Sequence, residues 1–299
     1  MVKRNPYNPI KKGLRVRLMS PLGRYPANTF CSESAALIIS PEICFSIVRV
    51  QREDWSFSEV DILTALEIPL FGSILLAGEA GTPYLYPYPT SNSVLLEVES
   101  LEDIGDRHIL ECKSFLVDKI QHNAEVYPAN PIHKPPALGG MKYDLVPSSS
   151  ADSDRLLVLR RLKTANPIIL RAVSCLLKAR MAFQHPEFGE AACIFLWIAL
   201  DAAHSLVLQR LRDTGIANPT SRDAAKYFEK ISGYDAEWEK FFEDDYDNRI
   251  RAIHPDNRFG AEAIPEFRVD DFLELNDMMV SFFYFFVSGF SNNSPSARY

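Results

Sequence analysis

The sequence is short of the residues and runs that mark most common chemistries. Its five cysteines, Cys31, Cys44, Cys112, Cys175 and Cys193, are odd in number, widely spaced and free of any C-x-x-C pair. That argues against a disulfide framework or a zinc knuckle and leads us to expect a reducing, intracellular environment. A phosphate-binding loop, a Rossmann glycine cluster and a Ser-His-Asp order are all missing. Long hydrophobic runs are missing too: the longest uncharged apolar stretch, residues 278–290, has 13 residues, against roughly 20 for a membrane-spanning helix. The first residues, Met-Val-Lys-Arg-Asn-Pro, are basic but lead into Tyr-Asn-Pro and Lys-Lys rather than an apolar run, so no signal peptide is expected. Positive charge is scarce as well. The net charge is −7, divided as about −3 and −4 on either side of Ser150. Neither half is basic enough to bind phosphates indiscriminately, and a nucleic-acid contact requires a local patch. The expectation is a cytoplasmic chain with no membrane contact, no cofactor and no metal.

What is present suffices for folding. With 299 residues, 47% of them apolar, the chain can bury a substantial core in one large domain or two ordinary ones. Up to about residue 148 the pattern favours strands and turns. Residues 35–40, 44–51 and 93–100 are short and β-branched or alternating, with Pro and Gly between them. One helix is expected at 59–66, capped by Ser58 and ended by Ile68-Pro69. Residues 81–90, rich in tyrosine and proline, suggest an ordered surface loop or a docking strip for a planar group. Residues 128–150 are dense in Pro, Gly and Ser and mark a domain boundary. Beyond it the period becomes helical: helices are expected at 154–164, 167–183, 190–212, 221–231, 236–253 and 270–290. Six helices with short loops imply an all-α bundle. The fold class is therefore α+β, with a strand-rich mixed α/β domain over 1–148 and a helical bundle over 149–299 that ends in a disordered tail at 291–299.

One stretch carries chemistry. On the expected helix 236–253, Trp238, Phe242, Tyr246, Ile250 and Ile253 fall on one stripe, and Arg249 lies at its edge. On the helix 190–212, Ile194, Ile198, Asp201, Ser205 and Leu208 form a stripe with a carboxylate among apolar neighbours. A buried charge is costly unless paired, so Asp201 is expected to be buried and to face Arg249. His254 precedes Pro255, which disfavours helical geometry and frees the imidazole to meet solvent and substrate. Five residues turn an ideal helix through about 500°, so Arg249 and His254 converge only if the helix ends near His254 or if two chains supply the site. Asp247, Arg251 and His254 share a face by spacing. Asp247 can orient the imidazole, and Arg251 can hold a phosphate. Two weaker candidates stand beside these. His108 and Cys112 lie four apart in a stretch that reads as a strand, too far apart there for one metal. His204 reads as a bundle histidine with its hydrogen bonds satisfied.

The motif Arg249-x4-His254, in an Asp-Tyr-Asp-Asn248-Arg-x4-His-Pro context after a long helix bearing Asp201, resembles the HEPN superfamily, in particular its ApeA-like branch. The resemblance covers about residues 155–290. It differs at Ile250, where the family often carries a polar residue, commonly Asn. The resemblance implies a dimer in which the Arg-x4-His motifs of two chains meet, and a metal-independent ribonuclease activity of defence or toxin systems. It casts His254 as general acid or base on the ribose 2′-hydroxyl and Arg249 as stabiliser of the phosphorane charge, with Asp201, Asp247, Asn248 and Arg251 in support. RNA or a nucleotide is then the ligand, a second copy of the chain the partner, and an antitoxin or regulatory protein a further one. The N-terminal domain would sense a trigger or select the substrate. The alternative implied by the same fold is a non-catalytic module that binds a nucleotide or a protein.

Overall fold

The computed structural model describes residues 13–26, 29–31, 35–39, 44–50, 66–77, 84–87, 93–96, 98, 100–126, 143–146, 151–183, 188–232 and 268–289. The chain divides into two compact units, Met1–Ile74 with Gly78–Asp152, and Leu75–Ala77 with Ser153–Tyr299. All described strands belong to the first, and the whole is α+β.

The first unit is organised by one long strand, β1 (Gly13–Pro26). With β2 (Thr29–Cys31), β3 (Ala35–Ile39) and β4 (Cys44–Val50) it forms the antiparallel order β2-β3-β4-β1. The same strand pairs in succession with three more segments. Residues 14–17 meet β6 (Ser93–Leu96), residues 19–22 meet β5 (Tyr84–Pro87), and residues 23–26 run parallel to β7 (Tyr143–Val146). Residues 81–90 therefore supply a strand, β5, from the middle of the expected loop. The Pro/Gly/Ser-rich stretch likewise supplies β7. Both are short segments whose pairing comes from a distant partner, which local composition does not report.

Alternate residues of a strand point to opposite faces. Leu14 and Val16 meet Ala36, Phe45, Ile47, Val94 and Leu96, and this layer is closed by Cys112 and Leu116 of helix α2 (Asp106–Val126). Arg15, Arg17 and Met19 belong to the opposite face and are buried as well. The sheet is thus covered on both sides where β1 crosses it.

Two helices of this unit depart from expectation. Residues 59–65 lie outside the described residues, and helix α1 (Ile68–Leu76) begins where a helix is expected to end. Pro69 falls in its first turn, where a backbone N–H has no intrahelical acceptor to lose. All nine residues of α1 are buried. Its one hydroxyl, Ser73, is satisfied by donating to the Leu70 carbonyl at 2.8 Å. The stretch around His108 is helix α2 rather than a strand. It follows a short 3-10 turn, Leu101–Asp103, whose Ser100 hydroxyl accepts from the Glu102 N–H while Asp103 accepts from the Ser100 N–H. An Arg107–Glu111 ion pair at 2.9 Å supports its first turns.

In the second unit every described element is a helix: α3 (Ala151–Lys163), α4 (Pro167–Phe183), α5 (Gly189–Asp213), α6 (Ser221–Ser232) and α7 (Val269–Ser288). Helix α5 packs against α4, α6 and α7. Trp197 is fully buried there, Phe183 stacks on Phe272 with centroids 4.2 Å apart, and Phe228 stacks on Phe282 at 4.3 Å. The aromatic run of α7 is therefore a core element. Among the described residues one helix, α5, is long and apolar enough to cross a membrane, and half of its most apolar window is buried. The helix expected at 236–253 and the tail at 291–299 lie outside the described residues.

Candidate functional site

Arg249 and His254, with Asp247, Asn248 and Arg251, fall in the segment between α6 and α7, outside the described residues. The described elements that flank this segment in the chain are α6 and α7. Helix α6 starts with a reciprocal cap: Asp223 accepts from the Thr220 N–H at 2.8 Å and from its hydroxyl at 2.7 Å, while Thr220 Oγ1 accepts from the Asp223 N–H at 3.3 Å. These bonds from the Thr220 backbone and side chain hold the Asp223 carboxyl below the usual aspartate range. Helix α7 starts similarly, with the Asp271 carboxylate accepting from the Arg268 N–H at 3.3 Å. Its middle is tied to α4, where Arg180 donates to Asn276 at 3.2 Å and to Asp277 at 2.9 Å.

Asp201 corrects one expectation. It is exposed, as is Ser205, while Ile194, Ile198 and Leu208 are half-buried. The inward face of α5 is instead Ala192, Leu196, Ala199, Ala203 and Leu206, with Trp197 and Val207. The cause is that α5 is apolar on nearly all sides, so hydrophobic period alone leaves its rotation open. Small alanines and one tryptophan set the packed face. Burial of Asp201 therefore supplies no reason of its own for pairing with Arg249, which lies outside the described residues. His204 is half-buried on the same helix, with Nε2 3.5 Å from the Ser221 hydroxyl at the start of α6. It has the character of a bundle histidine.

His108 and Cys112 are brought onto one face by α2, since residues four apart on a helix are neighbours. His108 Nδ1 accepts from the Gly105 N–H at 3.2 Å, and Cys112 points into the apolar layer of the sheet. Burial pushes its thiol up to about 11, and that of Cys193 likewise to about 11. Burial raises Cys44 further still. Such thiols are poor nucleophiles near neutral pH. Among the described residues no third His, Cys, Asp or Glu joins His108 and Cys112.

A polar cluster with no clear signature in the sequence lies in the first unit. Glu67, immediately before α1, has no exposure, and its carboxylate lies 3.8 Å from Arg15 and 3.7 Å from Arg17. Ser46 donates its hydroxyl to the same carboxylate at 2.5 Å. The register of β1 on β4 sets Arg17 opposite Ser46, so the cluster is built by the sheet itself. Ser46 is fully buried and Arg15, the most open member, is only 7% exposed. No solute reaches the hydroxyl, so the arrangement anchors the entry to α1 on the sheet rather than presenting a nucleophile. The alternation Leu-Arg-Val-Arg over residues 14–17 is the one available signal, but the pattern by itself suggests arginines facing water.

Compared with known proteins, the chain matches no family model, no curated protein and no solved structure.

Proposed function

We propose that the second unit is a metal-independent endoribonuclease of the HEPN type, acting as a homodimer in a defence or toxin setting. The observation that carries this reading is the position of Arg249-x4-His254, between α6 and α7 of a unit whose described elements are all helices. An imidazole with a pKa near neutrality suits proton transfer at working pH, and a guanidinium fork suits phosphate oxygens.

The chemistry is internal transesterification. A base takes the proton of the ribose 2′-hydroxyl, and the oxygen attacks the adjacent phosphorus. The bond to the 5′-oxygen breaks, and an acid protonates that leaving oxygen. A 2′,3′-cyclic phosphate and a 5′-hydroxyl result. His254 fits either proton-transfer role, and two copies of the motif supply both. Arg249 stabilises the charge on the pentacovalent phosphorus. Asp247 orients the imidazole, and Arg251 and Asn248 hold phosphate or base. Asp201, exposed on α5, contributes negative charge at the bundle surface.

Purified protein incubated with single-stranded RNA in EDTA tests the proposal. Cleavage is expected from the wild type and no detectable product from either His254→Ala or Arg249→Ala, loss of a proton-transfer group alone removing a factor of about 10²–10⁴. Absence of cleavage, or cleavage indifferent to His254→Ala, assigns the bundle to non-catalytic binding instead.

A further inference from the structure

The chain is acidic overall, with net charge −7, yet residues 155–186 contain seven Arg and Lys and no Asp or Glu. This run starts after Asp152 and Asp154 in the first turn of α3 and takes in the rest of α3, the turn that follows and α4. Three of the seven are engaged by the fold: Arg155 is buried, Arg180 bridges to α7, and Lys178 lies 5.8 Å from the centre of the Phe195 ring. The remaining four, Arg160, Arg161, Lys163 and Arg171, are exposed. Among the described residues none of their side chains makes an ion pair or a hydrogen bond.

These four collect at one corner. The last turn of α3 holds Arg160, Arg161 and Lys163, and the chain then turns through Thr164–Asn166, closed by bonds from the Thr164 N–H to Arg161 and the Ala165 N–H to Leu162. Asn166 caps α4 through a 2.9 Å bond to the Ile168 N–H, and Arg171 follows one turn later. At 1.5 Å per residue, Arg160 and Arg171 each lie within about 8 Å of the turn along their helices. Cations at the end of α3 offset the negative pole of its dipole, but that pole amounts to roughly half an elementary charge and needs no more than one of them.

We infer that this α3–α4 corner is a binding surface for the phosphate backbone of single-stranded RNA. The substrate class rests on the ribonuclease reading above, and the surface supplies the local positive patch that an acidic chain needs. Three of the four cations are arginines, whose planar guanidinium pairs with two phosphate oxygens at once. An anionic membrane fits less well. The apolar side chains left open here, Leu156, Leu157 and Ile168, are 39–44% exposed, while Val158, Leu159 and Leu162 are buried in the protein, so α3 lacks the broad apolar face that inserts into a bilayer.

The test uses full-length His254→Ala protein and a 2′-O-methyl single-stranded RNA, which has no free hydroxyl to react, so binding is read apart from cleavage. Arg160→Glu with Arg161→Glu is compared with Lys226→Glu and Lys230→Glu, a pair of exposed α6 lysines giving the same change in net charge. The corner pair should weaken binding at least about tenfold and flatten the plot of log affinity against log salt by about 0.7 for each phosphate the protein no longer neutralises. The α6 pair should change both much less. Equal loss in the two pairs, or no loss in the corner pair, overturns the inference. So does corner-dependent binding to phosphatidylserine vesicles without corner-dependent binding to RNA. Corner-dependent RNA binding in a protein that never cleaves leaves the surface standing and removes only the ribonuclease reading. His254-dependent cleavage with corner-independent binding does the reverse.

Discussion

Glu67 shows how much one side chain can decide. Its carboxylate lies within 4 Å of the guanidiniums of both Arg15 and Arg17, and all three side chains are buried. Removing one partner of a buried ion pair leaves the other charge short of compensation, which costs about 3–5 kcal/mol. Glu67→Gln should therefore lower the urea midpoint by a corresponding amount, whereas Arg15→Met, Arg17→Met and Glu67→Leu together should cost far less. A mild effect of the single change would show that the cluster is not a charge-compensated anchor. Asp223 acts through protonation instead. Its bonds to Thr220 lower its folded pKa, so the native state binds fewer protons than the unfolded chain. The stabilisation is thus present above the ordinary aspartate pKa of about 4 and is lost as pH falls below it. Asp223→Asn should lower the thermal midpoint more at pH 7 than at pH 3. An equal shift at both values would contradict the assigned cause.

Helices and strands differ in how far their own residues announce them. Helix α4 is legible to its ends, because Pro167 opens it and its apolar period is unambiguous; α3, α5, α6 and α7 are legible to within a few residues. Strand β1 is not, because its alternation carries Arg15 and Arg17 where a half-exposed strand would show polar residues to water, and the buried Glu67 that helps make that face tolerable lies some fifty residues away in the chain. The short strands β5 and β7 owe their existence to β1. Helix α2 passes for a strand in composition, although the Arg107–Glu111 spacing is a helix signal. The rotation of α5 is not legible because nearly every face of it is apolar. Interactions between helices also divide by burial. Arg180 bonds Asn276, which is 1% exposed, and Asp277, which is largely open. Arg180→Met should cost about 1–3 kcal/mol by leaving a buried amide oxygen short of its donor. Asp277→Ala should cost under about 1 kcal/mol, as exposed pairs do. Comparable losses in chemical denaturation would place the tie between α4 and α7 at the surface.

At the scale of the molecule, charge is distributed against the average. An acidic chain concentrates seven cations and no anions in residues 155–186. That asymmetry is readable in the sequence, while which of the cations are spent inside the fold is not. The Arg249-x4-His254 motif is equally readable, and in the chain it lies between α6 and α7. The strand-rich unit contributes a sheet centred on β1 and a buried anchor, and the Glu67 cluster, Cys44 and Cys112 within it are enclosed. The functional claim therefore rests on the helical unit. The most direct measurement is the end-group analysis of RNA fragments produced in EDTA by wild-type, Arg249→Ala and His254→Ala protein. Wild-type protein should yield 2′,3′-cyclic phosphate and 5′-hydroxyl ends, and neither variant should yield any. Fragments with 3′-hydroxyl and 5′-phosphate ends, or cyclic phosphates that persist in His254→Ala, would contradict a metal-independent site built on Arg249 and His254.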